Sequence, residues 1–312
     1  MVVENLSHTE PPHLNARKIK AQGTSRSEQE IFYLAQSLFR LDHLGKQKTP
    51  HLLSRTFREG LFFEEEFRSK TNFWREKALV VLDKCEQLGL KMITVGTGYP
   101  PLLEKLSDPP KAFFVQGEIS SLFHPSIAMI GSRDAPSVAL ESFSRLSGDI
   151  ARFGLSIVSG LAAGMDGAAH RGALDAGGLT VAVVGCGLDR VYPPANRRLA
   201  QDILDGGGAL VSEYPPGDPP SAWHFPFRNR IIAGLSAGAV CGVHRRFSGT
   251  SITVRVAVEE NRDLFVFFDE QSGGAFDGPL HLMEQGARRV YDAEDIILGL
   301  GGRLPVGEAD LF

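Results

Sequence analysis

Short apolar segments alternate with segments of helical periodicity from residue 126 onward, and this alternation constrains the fold more than any other feature. Strands are predicted at 127–130, 156–158, 180–184, 209–212, 239–243 and 264–267, and helices at 137–153, 166–175, 196–204, 228–235 and 250–261. Apolar strands that alternate with helices of about ten residues are typical of βαβ units, in which helices cover both faces of a parallel sheet. The predicted fold class is therefore α/β, with ligands expected beyond the carboxyl ends of the strands.

Glycine is concentrated in the same region of the chain. There are 34 glycines in 312 residues, and 19 of them fall between Gly131 and Gly249. Several follow predicted strands closely, namely Gly131, Gly160, Gly164, Gly185, Gly187 and Gly249. Glycine permits tight turns and a close approach of the backbone to a ligand, and the amide groups at the start of a helix attract anions. The glycines therefore indicate a binding edge and not a flexible linker.

The first 95 residues have a different pattern. Helical periodicity at 27–41 and at 72–88 predicts two helices, and a short strand is predicted at 91–95. The predicted units are a flexible tail at 1–26, a small helical N-terminal domain at 27–95, a Rossmann-like core at 96–300 and a C-terminal tail at 301–312.

Composition excludes several classes of protein. The net charge is −4 at pH 7, so a nucleic-acid role would depend on a local basic patch. The three cysteines are far apart, which excludes a disulfide scaffold and a zinc ribbon and is typical of a reducing cytoplasm. No apolar run approaches the ~20 residues that span a membrane. We expect a cytoplasmic protein with no membrane contact, no cofactor and no metal, since no metal-ligand spacing is present.

Three turns at the predicted sheet edge carry hydroxyl groups and glycines. They are Gly131-Ser132-Arg133 after the first strand of the core, Ser159-Gly160 with Gly164 after the second, and Ser248-Gly249-Thr250 before a later helix. Each one alone is also explained as an ordinary strand-to-helix turn or a helix cap. Together they predict a surface for a phosphate-rich and elongated ligand, because backbone amides and hydroxyl groups donate to anions.

Two basic clusters accompany these turns. One comprises Phe225, Arg228, Asn229 and Arg230, before a predicted helix, and the other contains Arg245. An aromatic ring that stacks on a base and an arginine that binds phosphate together hold a single strand without reading its sequence. The alternative for the first cluster is a hydrophobic staple with charges at a helix start.

Other motifs favour structural roles. The segment 234–238 matches G-x-S-x-G, but it follows a helix and precedes a strand, which is the reverse of the nucleophile elbow. Asp166 is interpreted as a helix cap and His170 as a packing residue. The carboxylates are not spaced as an evident acid/base pair, so the sequence predicts no catalytic constellation.

Six motifs occur in order along the chain: IGSR at 130–133, SGLAAGMDGAAH at 159–170, VVGCGLDRVYPPAN at 183–196, SEYPPG at 212–217, FPFRNRIIAGLS at 225–236 and SGTSIT at 248–253. Together they resemble the DNA-processing protein A family (DprA, also called Smf), over about residues 99–297. The resemblance implies an extended Rossmann-like core that binds single-stranded DNA, preceded by a sterile-alpha-motif-like helical domain. It also implies a non-enzymatic homodimer that protects single strands during natural transformation and helps to load the RecA recombinase.

The resemblance also implies roles for particular residues. The DNA-binding arginine of the family falls on Arg133, and its aromatic and basic segment falls on Phe225, Arg228, Asn229 and Arg230. Its glycine-rich anion turn falls on Gly160 and Gly164. Where the family usually has an acidic residue, this chain has His244-Arg245, and many members carry a C-terminal winged helix that we expect to be absent here because the sequence stops at Phe312.

Two other functions are compatible with the same motifs. A nucleotide-binding or nucleotide-cleaving Rossmann-like protein, related to the LOG group, would also use glycine-rich turns. In that case Asp166 or Glu259 would be catalytic, since Glu259 follows the hydroxyl-rich turn at Ser248. A pure interaction scaffold would bind neither ligand.

Overall fold

The computed structural model describes residues 27–46, 66–96, 98–268 and 277–301. The tail predicted at 1–26 lies outside the described residues, as does the tail predicted at 301–312 apart from its first residue.

One twisted sheet organises the described part of the chain. Its strands are β1 (Lys91–Thr94), β2 (Ala112–Gly117), β3 (Ser126–Ile130), β4 (Ser156–Ser159), β5 (Thr180–Val183), β6 (Ala209–Ser212), β7 (Gly238–Cys241), β8 (Asp263–Phe267) and β9 (Arg288–Val290). Their order in the sheet is β1-β2-β6-β5-β4-β3-β7-β8-β9. From β6 to β9 all neighbouring strands are parallel, while β2 is antiparallel to both β1 and β6. The carboxyl ends of β3 to β9 therefore share one edge, which we call the carboxyl edge.

Helices cover both faces of this sheet. They are α1 (Glu28–Lys46), α2 (Thr71–Gln87), α3 (Pro101–Glu104), α4 (Ser137–Arg152), α5 (Met165–Asp175), α6 (Arg197–Asp205), α7 (His224–Leu235), α8 (Gly249–Glu259), α9 (Gly278–Glu284) and α10 (Ala293–Leu300). Alternate residues of each strand point to opposite faces. In β3, Ala128 and Ile130 pack with α7 and α8, whereas Ile127 and Met129 pack with α4, α5 and α10. The predicted α/β architecture is confirmed.

The N-terminal helices belong to the same packed body as the sheet. Residues of α1 and α2, among them Leu34 and Ala78, share one buried apolar cluster with Phe114 of β2 and Leu210 of β6. Strand β1, which we predicted within the helical domain at 27–95, pairs with β2 as the edge strand of the sheet. The boundary at residue 95 is therefore corrected, because β1 satisfies its backbone groups only by joining the core sheet.

Helix α7 begins four residues earlier than predicted. It starts at His224, so that the aromatic and basic segment forms its first two turns and does not precede it. Pro226 lies in the first turn of this helix, where proline is tolerated because its missing N–H has no helical partner. This shift changes which side chains of the segment can reach solvent.

Candidate nucleic-acid interface

Backbone hydrogen bonds join the three predicted turns at the carboxyl edge. The amide of Ser132 donates to the carbonyl of Val243 at 2.9 Å, and the amide of Met165 donates to the carbonyl of Ser132 at 3.0 Å. The hydroxyl of Thr250 donates to the carbonyl of Gly131 at 2.9 Å. The turns after β3, β4 and β7 thus form one continuous surface, as the sequence predicted.

Two glycines of this surface are required by the packing of the turns against each other. Gly164 has φ = 75°, and a Cβ atom there would overlap the carbonyl group of Arg133. At Gly131, a Cβ atom would lie 2.5 Å from the side chain of Met165. These glycines let the turns approach closely, and that structural requirement stands beside the anion-binding role predicted for them.

Arg133 and Phe225 are neighbours on the solvent side of this edge. Arg133 is exposed and Phe225 is half-buried, and the guanidinium carbon of Arg133 lies 5.5 Å from the centre of the Phe225 ring. The Phe225 ring also lies against Gly185, where a Cβ atom would lie 3.1 Å from a ring carbon. A cation and a supported aromatic ring therefore lie side by side, which is the pair of groups predicted to bind phosphate and base.

Tyr192 extends this pair and was missed by the sequence analysis. Its side chain is 42% exposed, and its ring centre lies 5.6 Å from that of Phe225. It follows β5 within the motif VYPPAN, so the available signal was an aromatic residue after a strand end, followed directly by two prolines.

Arg228 lies in the protein interior and not at the DNA-facing surface that we predicted. It is 4% exposed, and its guanidinium donates to the carbonyls of Gly160, at 2.7 Å, and Val183. Its Nε donates to the amide oxygen of Asn229 at 2.9 Å, and Asn229 is buried as well. Burial lowers the pKa of Arg228, while the nearby Asp166 carboxyl opposes that shift. The prediction of a phosphate contact is corrected to a positioning role, in which Arg228 holds the turn after β4 against α7.

Arg230 is also interior and belongs to a buried ion network. The Nη2 of Arg230 donates to both oxygens of the Glu213 carboxylate, each at 2.7 Å. Its Nε donates to Asp108 at 3.4 Å. Asp108 also pairs with Arg40 of α1. Burial opposes the charge of Arg230, but the two carboxylates raise its pKa. The phosphate contact predicted for Arg230 is corrected in the same way, since the side chain is buried and its Nη2 and Nε donate to Glu213 and Asp108.

The remaining predicted residues divide between surface and interior. Arg245 and Gly249 are exposed at the carboxyl edge, and Ser248 is half-buried beside them. Ser159 is buried and donates to the carbonyl of Met129 at 2.6 Å. The surface thus offers three exposed groups, at Arg133, Arg245 and Gly249, and interior residues hold the turns that carry them.

The groups that a nucleotide-cleaving enzyme would need are not brought together. Asp166 is buried beside Arg228. Burial raises the pKa of the Asp166 carboxyl. Glu259 is the last residue of α8, about 15 Å along the helix from its start at the carboxyl edge. His170 is buried, its Nδ1 is 2.6 Å from the Thr180 hydroxyl, and burial lowers its pKa to about 3, in line with the predicted packing role.

Neither a membrane-spanning helix nor a metal-binding cluster is found among the described residues. None of the described helices combines the length and the apolar character that a membrane crossing needs. Among the same residues, no three or more His, Cys, Asp or Glu side chains are grouped so that they could hold a metal ion.

Comparison with known proteins gives consistent matches. Protein Smf of Escherichia coli is 42% identical over 203 residues, which cover 65% of this chain and 54% of that protein. DNA processing protein DprA of Streptococcus pneumoniae is 37% identical over 241 residues, which cover 77% of this chain and 80% of that protein. The chain therefore spans about half the length of the Escherichia coli relative.

Solved structures show the same fold. The X-ray structure of DprA from Streptococcus pneumoniae superposes with a TM-score of 0.65 at 30% identity and covers 88% of this chain and 98% of its own. A structure of DNA processing protein A from Helicobacter pylori, reported for its unique single-stranded DNA binding mode, has a TM-score of 0.60 at 29% identity and covers 67% of this chain and 95% of its own. The sequence profile of DNA recombination-mediator protein A matches residues 91–301, from β1 to the end of α10. The chain belongs to that family, the DprA/Smf proteins.

Proposed function

We propose that this protein binds single-stranded DNA along the carboxyl edge of its sheet. The observation that carries the proposal is the exposed Arg133 guanidinium beside the Phe225 ring, on top of glycine turns that are fixed to one another. A guanidinium binds phosphate oxygens in a planar fork, and an aromatic ring stacks on any base. The Helicobacter pylori relative, reported for its single-stranded DNA binding mode, supports this choice of ligand.

The names of the relatives support a role in DNA processing. We infer that the protein acts in DNA processing during natural transformation and recombination, where it would protect single strands and help to load RecA. This role requires binding and no chemical step, so we propose that the protein is not an enzyme. A reducing cytoplasm, where RecA and DNA meet, is the proposed location.

We propose further that the protein forms a homodimer through the surface of α8 and α9. Four exposed apolar side chains lie there or directly before α8: Phe247, Ile252, Val258 and Leu280. Phe247 is 90% exposed, and a cavity of about 1170 Å³ opens between these helices. Large apolar side chains grouped at a surface are typical of protein interfaces. If the proposal holds, sedimentation of the purified chain would show twice the chain mass of 33.9 kDa. A particle with the mass of one chain would refute it.

The test of DNA binding is the variant Arg133→Ala, measured by fluorescence anisotropy with a labelled oligo-dT across a salt series. Loss of one charge-assisted contact, about 1.5–3 kcal/mol, weakens binding by roughly 10- to 150-fold. The slope of log affinity against log salt falls by about 0.7, the value of one phosphate contact on a single strand.

The matched control is Arg152→Ala. Arg152 ends α4 at the opposite edge of the sheet, where it pairs only with the exposed Asp149 among the ion pairs of the described residues. The Arg152→Ala variant removes the same charge from the protein, so it controls for a general effect of net charge. Equal affinity of the Arg133 variant and the parent, or an equal loss in both variants, would refute the role of Arg133.

A further inference from the structure

Tyr192, Phe225 and Arg133 form a continuous strip of two rings and one guanidinium. The ring centres of Tyr192 and Phe225 are 5.6 Å apart with their planes inclined by 37°, and Arg133 lies 5.5 Å from the Phe225 ring. The three side chains come from three separate elements: the segment after β5, the first turn of α7 and the turn after β3. We call this set the Arg133–Phe225–Tyr192 strip.

The backbone that carries Tyr192 is fixed to the glycine-rich turn after β4. The side-chain amide of Asn196, four residues beyond Tyr192, donates to the carbonyl of Leu161 at 2.9 Å and to that of Ala162 at 3.1 Å. Tyr192 itself is 42% exposed, although a tyrosine ring is large enough to contribute to a core. A ring held at the surface loses little conformational entropy when a ligand stacks on it.

The ring spacing decides how a base could be placed. A base between the two rings would need about 7 Å, twice the 3.4 Å rise between stacked bases, and the centres are only 5.6 Å apart. Bases would therefore stack on the outer, exposed faces of the rings. Two neighbouring bases placed on neighbouring rings would be further apart than in a duplex, so they must be unstacked from each other.

We infer that Tyr192 stacks a base next to the base held by Phe225, and that this ring pair selects single strands over duplex DNA. The inference rests on the proposed single-strand binding and adds the residue that provides selectivity. In a duplex the base faces are covered by their neighbours, and only the phosphates remain for Arg133. Stacking contributes to single-strand binding alone, whereas the arginine contributes to both.

The experiment compares three labelled probes of equal length: oligo-dT, an abasic strand that keeps the phosphates, and a hairpin duplex. The variants are Tyr192→Ala, Tyr192→Phe and, as matched control, Phe153→Ala. Phe153 is a 39% exposed ring that follows α4 at the opposite edge of the sheet. Thermal melting of each variant checks that the fold is retained.

Tyr192→Ala is expected to weaken oligo-dT binding roughly 5- to 150-fold, in the range of one base–ring stack. Its affinity for the abasic strand and the duplex stays within about twofold of the parent, its salt slope is unchanged, and Tyr192→Phe and Phe153→Ala bind like the parent. An oligo-dT affinity equal to that of the parent, or an equal loss on the abasic strand, would overturn the inference while the proposed function stands. A parent protein that binds none of the single strands would refute the proposed function itself.

Discussion

The buried pair of Glu213 and Arg230 provides a direct test of how the motif FPFRNR works. Removing Glu213 leaves the Arg230 charge buried, with its remaining carboxylate partner Asp108 at 3.4 Å. Asp108 already pairs with Arg40, which is buried too. Two interior guanidinium groups would then share one carboxylate, so we expect Glu213→Leu to lower the free energy of unfolding strongly.

The magnitude follows from the burial of the pair. Breaking a fully buried ion pair from one side costs about 3–5 kcal/mol. Because Asp108 continues to compensate part of the charge, we expect the lower end, about 3 kcal/mol. For a chain of 312 residues, with an unfolding entropy of about 0.65 kcal/mol/K, that corresponds to a Tm lower by about 5 °C. Total stabilities are about 5–15 kcal/mol, so the variant is expected to remain folded at 25 °C.

The double variant Glu213→Leu with Arg230→Met separates stability from DNA binding. Replacing both members by apolar side chains removes the uncompensated charge, so the double variant is expected to be more stable than either single variant by about 2 kcal/mol or more. Since Arg230 is 7% exposed and directed at Glu213, its loss should leave oligo-dT affinity within about threefold of the parent.

Thermal and urea denaturation of the parent, the two single variants and the double variant give the four stabilities of a double-mutant cycle. Fluorescence anisotropy on the same samples gives their oligo-dT affinities. Additive losses of stability would show that the pair is not coupled as the structure indicates. A double variant that melts like the parent but binds oligo-dT tenfold more weakly would show that Arg230 contacts phosphate, and it would refute the positioning role.

Two further predictions concern the turns and the pH. Gly164→Ala should lower the free energy of unfolding by more than about 1 kcal/mol in urea denaturation, because φ is 75° and the new Cβ would overlap the turn after β3; an unchanged midpoint would contradict the close packing of the turns. Burial raises the pKa of Asp108, but Arg40 and Arg230 outweigh this and hold the pKa below its ordinary value of 3.8. Its contribution is thus present above that value and is lost as the pH falls through the lower folded pKa, so the stability difference between the parent and Asp108→Asn should shrink below about pH 4. A difference that stays constant from pH 7 to the acid transition would contradict this.

The sequence allowed most of the sheet to be predicted because apolar runs and glycines mark buried strands and their ends locally. The strand at 209–212 was predicted with its observed bounds, and the other core strands differ from their predictions by one or two residues. The edge strand β1 was placed in the wrong unit because its partner β2 lies beyond a proline-rich segment, and pairing across such a distance has no local signal.

The interior arginines could not be predicted for a related reason. An arginine in a polar segment before a helix is usually exposed. Burial here depends on acceptors far away in the chain: Arg228 donates to a carbonyl 68 residues away, and Arg230 to a carboxylate 122 residues away. The motif signalled an important segment, but only the assembled sheet shows that its arginines hold the edge while Phe225 faces the solvent side.

These assignments change the expected salt dependence of DNA binding. Arg228 and Arg230 are interior. In the described part of the carboxyl edge, the proposed binding turns carry three exposed arginines, Arg133, Arg245 and Arg246. Three phosphate contacts give a slope of about −2 for log affinity against log salt, per protomer, on a single strand. Between 50 and 200 mM salt the affinity would then fall about 15- to 20-fold, whereas six to ten contacts on a single strand would give about 300- to 16,000-fold. A measured slope near −5 would require cationic contacts beyond these three and would refute a three-arginine interface. A slope near −2 would mean that base stacking and backbone amides supply much of the affinity, which is how a chain with a net charge of −4 can hold a polyanion.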